Sequence, residues 1–324
     1  MLLDVAVFLV SLVFLAKASH TVLKSSVSLS RMLGIGEFAI GFILIAVATS
    51  LPELFVSIVA GLNGDGGIII GNVIGSNITN TLLVLGLTAV IATIFVDSKE
   101  IVDNAQILFI VSLIPLVLLQ RQEISGLAGG LLIVMFFVYA FLMVRTGVSP
   151  EIDVKGKELK TESSKGVKWL SVSLEMIKTF CFFAAGIVVV VVSSNFLVGS
   201  AVNISISLGI NQTIIGLTII ALGTSIPELA IGISAMLKKH KSIALGEILG
   251  SSVVNLTLVL GTGAALTSVP TAFDVIGSPV ILLVCTQLFL WLVLSRLGKI
   301  TRNMGLLFVV VYCIFILSQF TGTF

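Results

Sequence analysis

Glu53 and Glu228 each lie inside an apolar run, each directly after a proline, in the hexapeptides ATSLPE (48–53) and GTSIPE (223–228). An ionised carboxylate at the centre of a bilayer costs several kcal/mol, about 2.5–3.5 for Asp on the more lenient insertion scale. Each glutamate therefore requires a bound cation or a proton. Ala46, Thr49, Ser50 and Glu53 fall at i, i+3, i+4 and i+7, one face of a helix. Ala221, Thr224, Ser225 and Glu228 repeat that face. Ser76 and Asn80 stand at i, i+4 on the next run, and Ser251 and Asn255 are their partners. Brought together, these faces would form a pocket of carboxylate, hydroxyl, amide and carbonyl oxygens, without thiolate or imidazole. Such donors suit hard cations, Ca²⁺ or Na⁺, over zinc or copper.

The prolines belong to the same argument. Pro52 has no N–H, and its ring clashes with the carbonyl four residues back, which frees carbonyls around Ala48 and Thr49. Pro227 does the same near Gly223 and Thr224. Broken backbone inside a membrane is tolerated only where protein, water or an ion satisfies it.

The elements that must hold these faces are membrane spans. The chain is 57% hydrophobic and 10% charged, with a mean hydropathy of +1.21; an ordinary soluble domain carries about 25% charged residues. Ten apolar runs are long enough to cross a bilayer: 3–27, 39–62, 67–93, 102–120, 124–145, 173–203, 213–237, 243–267, 276–297 and 301–321. The first starts with Asp4, lacks a basic leader and has no small-residue cleavage site, so it reads as a span and not a cleaved signal. With the N-terminus outside, Lys24, Arg31, Lys99, Arg145, the lysines of 155–168, Lys238, Lys239, Lys241, Arg296, Lys299 and Arg302 fall inside, and Arg121 alone outside. That bias puts both termini outside.

The chain is also duplicated. LGIGEFAIG (33–41) aligns with LGINQTIIG (208–216), GNVIGSNITN (71–80) with GEILGSSVVN (246–255), and LVLG (83–86) with LVLG (258–261), all at one offset of 175 residues. Five spans per copy is an odd number, so the second copy enters the membrane from the opposite side. The expected architecture is an all-α membrane protein of ten helices in two inverted five-helix repeats: 1–145, a cytoplasmic linker 146–172, and 173–324. Inverted repeats of this kind build secondary transporters, with the site near the midplane. Gly71/Gly75 and Gly246/Gly250 read as close helix contacts.

The two motif pairs resemble the alpha-repeats of the calcium/cation antiporter superfamily, in its sodium/calcium exchanger branch. The GNxxE pattern of the proton/calcium branch is absent. The resemblance implies that the second, third, seventh and eighth helices surround four cation positions. Glu53 and Glu228 would be the central calcium ligands, helped by the main-chain oxygens of Thr49 and Thr224. Ser50, Ser76, Ser225 and Ser251, with the Ala46 and Ala221 carbonyls, would complete flanking sodium positions. Asn80 and Asn255 would line the middle, and the first and sixth helices would slide to alternate access. The transported ions would be Ca²⁺ and Na⁺, with H⁺ as the rival counter-ion, no cofactor, and one chain in a lipid bilayer, in a prokaryotic cell membrane, sufficient for transport.

Two departures from the family pattern matter. Some prokaryotic relatives carry Asp where this chain has Asn255; the amide keeps the pocket at two carboxylates, so a third Na⁺ would leave it positively charged and make exchange voltage-sensitive. Glu247 stands where the first repeat has Asn72 and the family usually has Asn. By topology it sits near the cytoplasmic mouth, either as a solvated glutamate at a helix N-terminus or as an extra cation or proton acceptor. The 146–172 linker is too short for calcium-sensing domains.

Other features carry less. Cys181, Cys285 and Cys313 lie in apolar runs and read as packing residues. His20 reads as a polar residue near the inner end of the first helix. Asn203 and Asn211 begin sequons beside a short outer turn. No HExxH, GxSxG or Walker sequence supports a membrane enzyme or an ATP-driven pump, and nothing points to nucleic acid. A passive channel on this fold lacks a symmetric pore-lining ring.

Overall fold

A computed structural model describes residues 2–33, 36–64, 66–96, 98–118, 123–146, 165–207, 221–271 and 273–321. It is almost wholly helical. Helix α1 is Leu2–Leu33, α2 is Glu37–Thr49, α3 is Leu51–Asn63 and α4 is Gly66–Ile91. Helices α5 (Lys99–Leu118), α6 (Gly126–Thr146) and α7 (Lys165–Ser207) follow. The second half continues with α8 (Ala221–Thr224), α9 (Ile226–Leu237), α10 (Lys241–Leu266), α11 (Phe273–Leu297) and α12 (Arg302–Thr321). Among the described residues, eight helices are long and apolar enough to cross a membrane, or nine when the bent pair α2–α3 is one span. The expected seventh span is described only as α8 and α9; 208–220 lie outside the described residues. Helix α7 begins inside the segment read as linker, whose residues 147–164 also lie outside them.

At 1.5 Å per residue, α1 runs about 48 Å, well beyond a hydrocarbon core of about 30 Å. This length moves His20 from an expected helix end to mid-helix, where it is exposed. The three cysteines are likewise exposed, on surfaces that face lipid in a membrane, and do not pack in the interior.

Two spans form the centre. The span of α10 is 94% buried and that of α4 72%, against 22% for α6 and α12. Both are small-residue helices, so neighbours approach their backbones closely. A Cβ on Gly246 would overlap the Phe38 carbonyl oxygen, and one on Gly250 that of Phe42, which bears out the close contact read for this pair. No described residue comes within 4 Å of a Cβ placed on Gly71.

Two short strand pairs display the inversion. Ile94–Phe95 (β1) pairs antiparallel with Lys299–Ile300 (β4), and Glu123–Ile124 (β2) with Val269–Pro270 (β3). β1 and β3 are repeat equivalents at the 175-residue offset. β1 and β2 flank the 20-residue helix α5, whose length of about 30 Å crosses the bilayer, so they lie on opposite faces. Because β2 pairs with β3, equivalent strands of the two repeats sit on opposite faces as well.

Candidate cation-binding site

The glutamate helices break where the repeats predict. Ser50 leaves helical geometry at φ −78°, ψ 6°, and Ser225 at φ −91°, ψ 6°. Each proline then sits in the first turn of the following helix, where a missing N–H costs nothing. The break bends α3 from α2 by 42°. Glu53 and Glu228 follow in the first turn, near a positive dipole end. The Ala46 carbonyl accepts from the Ser50 N–H at 3.0 Å and the Thr49 hydroxyl at 3.2 Å.

α4 and α10 carry a feature that the letters did not disclose. Each widens into a π-helical stretch, Thr79–Val84 in one and Asn255–Val259 in the other, at equivalent places. α2 has another at Ile40–Ile45. Such π-bulges gather at functional sites because they turn side chains and loosen carbonyls. Asn80 and Asn255 sit in the first turn of theirs.

The side chains converge as follows. Ser50, Glu53, Ser76, Asn80, Ser225, Glu228, Ser251 and Asn255 are all buried, and Thr49 with them. Asn80 Nδ2 donates to Ser251 Oγ at 2.6 Å across the repeat boundary. The Ser76 and Thr224 hydroxyls stand 3.4 Å apart across the same boundary, both beside the Glu53 carboxylate. Thr49 lies beside Glu228. Yet among the described residues no donor makes a well-formed hydrogen bond to either oxygen of Glu53 or of Glu228. Ser50 Oγ, Ser225 Oγ, Asn80 Oδ1 and both polar atoms of the Asn255 amide are also without partners. Buried polar groups are normally paired, and unpaired carboxylates are the costliest exceptions. Ala221 opens α8, so its backbone stands one turn before Ser225.

Glu247 departs from its expected place. It lies about 9 Å along α10 from the helix start, 0% exposed, covered by α2 and α9. Its Oε1 accepts from Thr49 Oγ1 at 3.5 Å. The close approach of α2 at Gly246 excludes it from solvent; the glycine spacing marks a close contact but does not say which helix makes it. Asn72, its counterpart, instead donates to the Glu53 main-chain oxygen at 3.1 Å and to Ser57 Oγ at 3.4 Å. No three His, Cys, Asp or Glu side chains among the described residues form a ready metal cluster; the donors here are mostly hydroxyl and amide oxygens.

Asn77, which also begins an N-x-T sequon, is buried and donates to the Val73 carbonyl at 2.7 Å. Asn203 is exposed and donates to Asp4 at 3.1 Å, while Asn211 lies outside the described residues. At the end of α9, His240 Nδ1 lies 3.0 Å from Glu37 Oε1, joining the starts of α10 and α2.

Comparison with known proteins identifies the family. The family described as "Sodium/calcium exchanger protein" matches residues 3–145 and 178–321. The chain is 33% identical over 303 residues to the putative antiporter CaxA of Alkalimonas amylolytica, covering 93% of each. It is 28% identical to the sodium/calcium exchanger MaX1 of Methanosarcina acetivorans, covering 97% of each. A solved structure of the sodium-calcium exchanger NCX_Mj, soaked with 10 mM Na⁺ and no Ca²⁺, superposes with a TM-score of 0.84 at 30% identity, over 98% of this chain and 99% of that one. The chain is a multi-pass membrane protein, an antiporter built from two repeats, and belongs to the sodium/calcium exchanger family.

Proposed function

We propose that this chain exchanges Ca²⁺ for Na⁺ by alternating access, with Glu53 and Glu228 as ligands shared by the two ions. One observation carries the reading: two duplicated glutamates, fully buried, present four carboxylate oxygens that lack a hydrogen-bond partner among the described residues to a shell of hydroxyls and amides drawn from both repeats. Ser50, Ser76, Ser225, Ser251, Asn80, Asn255 and the main-chain oxygens of Ala46, Thr49, Ala221 and Thr224 complete the coordination. The hydroxyl-rich flanks favour Na⁺ over H⁺ as counter-ion.

Because Ca²⁺ and Na⁺ compete for the same carboxylates, they travel in separate halves of the cycle. A protein without cargo holds two buried charges uncompensated, an expensive state. It resists the switch between inward and outward access, so ions exchange and do not leak. Residues 1–145 and 173–324 form the two halves, joined by a cytoplasmic 146–172 segment, with both termini outside; the distribution of Lys and Arg supports that orientation.

The test is uptake of radioactive calcium into proteoliposomes at clamped voltage, comparing outward Na⁺ and H⁺ gradients. Uptake driven by Na⁺ is expected. Uptake driven by H⁺ alone would overturn the counter-ion, and flux needing neither gradient would indicate a channel.

A further inference from the structure

We propose that Glu247 is a third carboxylate ligand of this site, holding a monovalent cation between its side chain and Thr49. The proposal rests on the exchanger reading, in which that cation is Na⁺.

The two repeats differ at one linked pair of positions. In the first, Asn72 ties α4 to α3 by donating to the Glu53 main-chain oxygen and to Ser57 Oγ. In the second, Glu247 replaces Asn72 and Gly232 replaces Ser57. A carboxylate cannot donate those bonds, and glycine offers no hydroxyl. A Cβ placed on Gly232 would lie 3.3 Å from Thr88 Cγ2, 3.6 Å from Val84 Cγ1 and 3.9 Å from Glu247 Oε2, so apolar side-chain atoms of α4, which offer no hydrogen bond, take the place of the tie next to a carboxylate oxygen. Among the described residues that oxygen has no partner, and the residue is 0% exposed; its sister, Oε1, has there only the long bond to Thr49, a residue of the opposite repeat.

Glu247 also shares its surroundings with the other two glutamates. Glu53 and Glu228 both lie within its electrostatic reach, and Ser50, the residue after Thr49, has no partner for its Oγ among the described residues. Among the described residues, no Lys, Arg or His forms an ion pair with any of the three. Three buried carboxylates carry three negative charges. One Ca²⁺ leaves one of them unneutralised, whereas three monovalent ions neutralise all. Voltage sensitivity thereby moves to the calcium half of the cycle, the reverse of the expectation for a site with only two carboxylates.

The experiment measures displacement of radioactive calcium from purified protein by Na⁺, in the wild type and in Glu247→Gln. The glutamine keeps an acceptor for Thr49 and removes the charge. A shallower Na⁺ curve, by one ion, with a midpoint at least about tenfold higher, is expected, since even outer-shell changes alter metal affinity by about 10–100-fold. An unchanged curve in Glu247→Gln, with normal displacement in the wild type, overturns this proposal alone. Absence of Na⁺ displacement in the wild type overturns the exchanger reading and this proposal with it. Should the variant fail to fold, calcium–calcium exchange by wild-type proteoliposomes decides the matter. A rate that varies with clamped voltage is expected, and a voltage-independent rate overturns the three-carboxylate site.

Discussion

Ser76 of the first repeat and Thr224 of the second meet oxygen to oxygen, 3.4 Å apart, beside the Glu53 carboxylate. The contact joins α4 to α8 across the boundary between repeats. One hydroxyl alone can be satisfied by its own helix, through the carbonyl four residues back. These two hydroxyls face each other beside a buried carboxylate, where a cation would gather all three.

Thr224→Val keeps the shape of the side chain and removes the hydroxyl. Loss of one such polar contact is worth about 0.5–1.5 kcal/mol, so apparent calcium affinity should fall by up to about tenfold while the protein folds normally. Calcium-binding titration of the purified variant checks this; unchanged affinity would take Thr224 out of the site.

Glu53→Gln and Glu228→Gln, made singly, should each abolish calcium transport. They should also abolish stabilisation by calcium. A ligand at 100 times its dissociation constant stabilises the folded state by about 2.7 kcal/mol. Thermal unfolding in detergent should therefore rise with added Ca²⁺ in the wild type and stay flat in both variants. A calcium-dependent rise in either variant would contradict the shared-ligand role.

Gly246→Ala tests the packing that closes the site. The added methyl meets the Phe38 carbonyl oxygen, which is backbone and cannot rotate away. Overpacking of this sort costs about 1–3 kcal/mol, so a lower unfolding temperature and reduced transport are expected. Gly71→Ala, where no described atom lies within 4 Å, should leave stability nearly unchanged.

Asn72→Ala and Glu247→Ala should fail in different ways. The first removes a structural tie to the Glu53 main chain and should lower stability by about 1–2 kcal/mol while retaining the shape of the Na⁺ dependence. The second removes a buried charge and should change Na⁺ dependence more than stability. Unfolding and Na⁺-competition curves measured side by side distinguish the two.

Much of the site is visible in the letters because it was made twice. The Pro–Glu breaks, the Ser and Asn faces and the repeat offset are local patterns, and the structure puts the expected breaks at Ser50 and Ser225. Helix ends were less legible: His20 moved to mid-helix because nothing in the local sequence stops α1 at the edge of its apolar run. The π-stretches around Asn80 and Asn255 were invisible because they depend on how α4 and α10 pack, and apolar letters accommodate either helical form equally well.

The sequence by itself determined that the chain spans a membrane, that it is duplicated and all-helical, and that Glu53 and Glu228 lie in its interior. Hydropathy and internal repetition are properties of the letters alone. Only the tertiary structure decided the place of Glu247. From its position on α10 it belonged near the surface, but the backbones of α2 and α10 approach closely at Gly246 and Gly250. Burial depends on what packs over a residue, and here the covering helix comes from the other repeat.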